Sequence, residues 1–104
     1  MTEAQHYALA LLAGEMGEAL DPIGNALRFG LDSPQWPHGT IPASVPNSPR
    51  ALLNLELGDV LAAIEYAIQR DLVERDLVYH QRDVKLMKLL DPDSRDNLGR
   101  RLAP

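Results

Sequence analysis

The sequence predicts an all-α protein. Three segments repeat their apolar residues at helical rather than strand spacing, Thr2 and Ser48 supply helix-starting signals, and prolines gather between the segments. In the first segment Thr2 followed by Gln5 reads as a capping box, and Ala8, Leu11, Leu12 and Ala19 set the period, so a helix is predicted over 3–20. Asp21-Pro22 then offers a cap and a proline at a first helical position. The expectation is one broken helix, restarting or kinking there and carrying Ile23, Ala26, Leu27 and Phe29 to a stop at Gly30.

Residues 31–48 hold Pro34, Pro37, Pro42 and Pro46 with Gly39 and Trp36, a proline-rich loop that cannot be regular structure. Connections this long in small domains are usually functional or disordered, and Trp36, which gains by burial, argues against full disorder. A second helix starts with Ser48 as cap and Pro49 as first residue and runs to about Arg70. Its apolar residues, among them Leu52, Leu53, Leu55, Leu57, Val60, Leu61, Ile64 and Ile68, cover more than one side. A helix of that kind needs more neighbours than one short chain offers, which predicts a helical bundle assembled from two or more subunits. Asp71 to Val73 form a turn, and Leu77, Val84, Met87 and Leu90 mark a third helix ending at Asp91-Pro92, with Arg82, Lys85 and Lys88 on its other face. Residues 1–91 are thus expected to form a single helical domain, and 92–104 a mobile tail.

Composition narrows the function classes. A chain of 104 residues sits near the lower end of what one core can stabilise, so self-association is expected. There is no cysteine, hence no disulfide, thiolate nucleophile or thiolate metal site, and a cytoplasmic location is expected. Met1 to Gln5 carry no basic residue, and the longest uncharged apolar stretch, Tyr7 to Ala13, falls far short of the roughly 20 residues a membrane span needs. Neither secretion nor membrane insertion is expected. A net charge of −5 argues against nucleic acid as a partner, because that binding draws on clustered Lys and Arg.

Four carboxylates carry the chemistry: Glu15 and Glu18 on the first helix, Glu56 and Asp59 on the second. Each pair is spaced i, i+3, one helical turn apart on one face. Both pairs fall where the apolar stripe calls for core residues, after Ala8 and Leu11 or Leu12 in one helix and between Leu52 and Ala63 in the other. A single pair is ordinarily a solvated face; two pairs on apolar stripes, each beside glycine, point inward together. Inward carboxylates are costly unless paired or bound to metal. Only Arg28 and Arg50 are near in sequence, so a hard divalent cation is the economical partner, Mg²⁺ in particular, with Mn²⁺ able to substitute. Gly14, Gly17 and Gly58 each cost roughly 1 kcal/mol relative to Ala inside a helix, and close helix crossing is their expected use. A di-iron bundle would need two Glu-x-x-His motifs, and the sequence has one, Glu3 to His6, away from the four acids.

The run Glu15-Met16-Gly17-Glu18, followed by Glu56-Leu57-Gly58-Asp59-Val60-Leu61, resembles the Glu-x-x-Glu and Glu-x-x-Asp motifs of the MazG-like, all-α nucleoside triphosphate pyrophosphohydrolases. Ala26 to Asp32 is similar to short, phage-type members, and the resemblance spans residues 8–90. It implies the all-α NTP pyrophosphatase fold, a homodimer or homotetramer, Mg²⁺ held by Glu15, Glu18, Glu56 and Asp59, and cleavage of a nucleoside triphosphate to the monophosphate and pyrophosphate. Asn25 departs from it, standing where a lysine is expected three residues before Arg28.

Either Glu18 or Glu15 would orient the attacking water as general base. Arg28, Lys85 and Lys88 are the candidates for substrate phosphate, with plain solvation of a helix surface as the competing reading of the lysines. Asn25 and Trp36 are the candidates for a base pocket, Trp36 either stacking on a base or plugging the core. The competing function classes are a non-catalytic helical interaction module and a hydrolase of another phosphoanhydride such as phosphoribosyl-ATP. A module without metal gains stability by replacing inward acids with apolar residues, which favours the enzyme.

Overall fold

The computed structural model describes residues 1–33 and 47–93, and among these there are three helices and no strand. Residues 34–46, including Trp36, and 94–104 lie outside the described residues.

Helix α1 spans Glu3–Phe29. The capping box forms: the Gln5 N–H donates to the Thr2 hydroxyl and the Thr2 N–H to the Gln5 side-chain oxygen, each at 3.0 Å. The expected break at Pro22 does not occur, and the helix runs through it. Proline removes one i to i−4 bond, here to the Glu18 carbonyl, but its fixed φ is itself helical. Its ring is fully buried, which offsets part of the loss. The helix stops at Gly30, whose φ of 100° is open to glycine and strained for other residues.

Helix α2, Pro49–Gln69, starts as the sequence predicts, with the Ala51 N–H donating to the Ser48 hydroxyl at 3.1 Å and Pro49 as first residue. At its other end the Leu72 N–H reaches the Ala67 carbonyl and the Asp71 N–H the Ile68 carbonyl, both at 3.0 Å, while Asp71 takes a φ of 58°. This is a Schellman ending with aspartate in the position glycine usually fills.

The two helices pack antiparallel. Tyr7 meets Tyr66 edge to face at 6.0 Å near one end, and Gln5 donates to the Asp71 carbonyl at 3.1 Å. At the opposite end the Arg50 N–H donates to the Leu31 carbonyl at 2.9 Å, and the Arg50 guanidinium grips the Asp32 carboxylate at 2.7 and 3.0 Å. The seam is built from small residues: Ala8, Ala19 and Pro22 of α1 against Pro49, Ala63, Ala67 and Ile68 of α2. The sequence expects α2 to be buried on more than one side by neighbours beyond this helix pair. Within its own unit, among the described residues, α1 is the helix packed against it, and Leu55, Leu57 and Leu61 are 54%, 46% and 65% exposed.

The chain divides into two compact units, Met1–Leu72 and Val73–Pro104. The second contains α3, Arg75–Leu90, which has no buried residue. On α3, Arg75 and Arg82 both stack on the Tyr79 ring, at 5.8 and 4.6 Å. No helix among the described residues is long and apolar enough to cross a membrane.

Candidate metal centre

Antiparallel packing sets the register of the acids. With Tyr7 against Tyr66 and Leu31 against Arg50, the middle of α1 faces the middle of α2, so Glu15 meets Glu56 and Asp59. Carboxylate oxygens of these three residues all lie within 4.8 Å of one another. Glu15 and Glu56 are half-buried and Asp59 is exposed. The Oε2 atoms of Glu15 and Glu56 have essentially no exposed surface and no hydrogen-bond partner. Glu18 is exposed and stands outside the converging trio, near enough for its charge to act on both glutamates.

The electrostatics follow from this crowding. Desolvation raises the Glu15 carboxyl above its ordinary value, reinforced by the neighbouring charges of Glu18, Asp59 and Glu56. Glu56 is raised for the same first reason, reinforced by Glu18 and Asp59. Carboxylates held together out of water bind protons or a cation more tightly than isolated ones. An octahedral magnesium ion with oxygens at about 2.1 Å sets trans ligands about 4.2 Å and cis ligands about 3.0 Å apart, so a trio spread over as much as 4.8 Å draws together to share one ion. Two oxygens already stripped of water and without partners are the donors such an ion would use. The residues fit a hard divalent cation.

No protein-family model, curated protein or solved structure matches the chain.

The other sequence-predicted site residues are placed as follows. Arg28 is exposed near the end of α1, its guanidinium 4.9 Å above the Phe29 ring. Asn25 is half-buried one turn earlier, and Lys85 and Lys88 are exposed on α3. Trp36 lies outside the described residues.

The glycines need correction. A Cβ added at Gly14, Gly17 or Gly58 would meet no atom within 4 Å, so none of them is required for close crossing of α1 and α2. The alanines of the seam do that work. Gly14 and Gly17 instead line a groove of about 620 Å³ along the flank of the helix pair, with Glu18, Leu20, Asp21, Leu52 and Glu56. Asp21 in this groove was missed by sequence reasoning, which assigned it to a helix cap before Pro22. The signal was present: Asp21 continues the Glu15, Glu18 spacing by a further three residues.

Proposed function

We propose that the protein is a Mg²⁺-dependent pyrophosphohydrolase that converts a nucleoside triphosphate and water to the monophosphate and pyrophosphate, working as a homodimer or homotetramer. The observation that carries this reading is the convergence of Glu15, Glu56 and Asp59 from two helices, with two buried carboxylate oxygens lacking partners. An arrangement that gave only stability would not retain it, because unpaired acids in a seam are costly. The likeness of the two acid motifs to the MazG-like enzymes points the same way.

Glu15, Glu56 and Asp59 would hold the ion. Bound there, Mg²⁺ supplies charge neutralisation for the α and β phosphates and lowers the pKa of water. Glu18, exposed beside the trio, would accept the proton of the attacking water. The water oxygen bonds to the α phosphorus, the bond from that phosphorus to the bridging oxygen breaks, and pyrophosphate leaves. By the sequence reading, Arg28, Lys85 and Lys88 would meet phosphate charge, and Asn25 and Trp36 would serve the base. Association of subunits is supported by the apolar side chains left exposed on both helices, including Leu20, Leu27, Leu57 and Leu61.

Incubating the protein with a panel of nucleoside triphosphates, with Mg²⁺ or EDTA, and separating pyrophosphate from orthophosphate tests the reading. Mg²⁺-dependent pyrophosphate release from at least one nucleotide is expected. No release from any, or orthophosphate alone, contradicts it.

A further inference from the structure

The groove beside the acids has a composition that the hydrolase reading does not yet use. Its walls carry three carboxylates, Glu18, Asp21 and Glu56, two leucines, Leu20 and Leu52, and two glycines, and no Lys or Arg is among the described residues that line it. A stretch without cations is a poor seat for the β and γ phosphates, which need positive partners. The uncharged end of the substrate is what such a stretch suits.

Position gives the same answer. Cleavage between the α and β phosphates requires the α phosphorus to lie at the acids, and the sugar follows one ester bond away. Asp21 lies three residues beyond Glu18 on α1, a rise of about 4.5 Å, which is the scale of a ribose. Beyond the sugar, Leu20 and Leu52 offer apolar surface. The groove is open to solvent, and its volume of about 620 Å³ leaves room for a sugar and the base beyond it.

The glycines complete the case. An added Cβ at Gly14 or Gly17 would stand in open space, so the fold of this chain gives no reason for either, and alanine would favour the helix at both. Their bare backbone keeps the groove wide where a ligand would lie.

We infer that this groove seats the nucleoside end of the substrate, the sugar lying over Gly14 and Gly17 with the Asp21 carboxylate accepting a hydrogen bond from a sugar hydroxyl. The inference rests on the hydrolase reading and adds a specificity residue to it. Asp21 distinguishes a nucleotide from a bare phosphate chain, since a carboxylate can accept from a ribose or deoxyribose hydroxyl and gains nothing from phosphate.

Three proteins decide it: the parent, Gly17→Ala and Asp21→Ala. Each is melted with and without Mg²⁺ in the absence of nucleotide, then melted with Mg²⁺ and α,β-methylene analogues of ribo- and deoxyribonucleotides, which resist cleavage. Each is also assayed on the parent's preferred nucleotide and on inorganic tripolyphosphate, which has no nucleoside. Both variants should keep the parent's Mg²⁺ response. Both should lose most of the stabilisation by analogue and raise KM for the nucleotide about tenfold, with KM for tripolyphosphate unchanged. Unchanged nucleotide KM and analogue response in both variants of an active parent overturns the groove assignment and leaves the hydrolase standing. An equal rise in KM for tripolyphosphate assigns the groove to phosphate and overturns it too. A parent that neither cleaves nor is stabilised by any nucleotide removes both readings.

Discussion

Glu15 and Glu56 pay for their position in the seam with raised carboxyl pKa values, and that sets a pH dependence. Because the folded-state values lie above the unfolded ones, the folded protein binds these protons more tightly. Their contribution to stability is fully present below the unfolded carboxylate range and is lost as pH rises through the raised folded values. In EDTA, Glu15→Gln and Glu56→Gln should therefore melt higher than the parent at pH 8, with the difference shrinking towards pH 4. Mg²⁺ binds the ionised form, so it should raise the parent's melting temperature more at pH 8 than at pH 5 and have little effect on either variant. A parent indifferent to Mg²⁺ at pH 8 returns the acids to separate surface residues. Glu18→Gln and Asp59→Asn should each abolish pyrophosphate release with the helical circular dichroism unchanged, and near-normal turnover in either would remove that residue from the site. The approach of Glu15 to Glu56 and Asp59 was legible in the sequence because a helix repeats every 3.6 residues and the acids' spacing follows that repeat, while Glu18, read with them, stands outside the trio. Asp21 was not, because next to proline the same residue type also serves as a cap.

Helices α1 and α2 show which local signals survive packing. The Thr2–Gln5 box, the Ser48 cap and Pro49 act within one turn and form as read. Pro22 and the glycines depend on what stands beside them, and sequence does not supply that. Proline after aspartate reads as a break until its ring is found buried against the second helix, and a glycine reads as a close approach until its surroundings prove open. Gly58→Ala should therefore stabilise α2 by about 0.5–1 kcal/mol, read from a denaturant midpoint, since the new Cβ meets nothing and the backbone loses freedom only in the unfolded chain. A loss of stability would mean that another molecule approaches the helix at that point. The Arg50–Asp32 pair is 56% and 70% exposed, so its bidentate geometry matters more than its burial. Asp32→Ala should cost at most about 1 kcal/mol, and added salt should reduce that cost.

At the scale of the whole molecule, many large apolar side chains among the described residues stand exposed. The all-α class was legible from the period of the apolar residues, but that period does not say which helix supplies the cover. Leu77 and Met87 of α3 follow a core-like spacing and are 62% and 74% exposed, as are Leu27 and Leu61 of the other helices at 84% and 65%. Light scattering at micromolar concentration should give a multiple of 11.5 kDa, and the monomer mass would contradict the assembly proposed here. The hydrolase itself is tested most directly by where water enters the products. With Mg²⁺, the preferred nucleoside triphosphate and ¹⁸O-labelled water, phosphorus NMR should show pyrophosphate and a nucleoside monophosphate as products, with the label on the monophosphate. Label in orthophosphate or pyrophosphate, or a triphosphate left intact with every nucleotide tried, would contradict attack at the α phosphorus by a water that these carboxylates position.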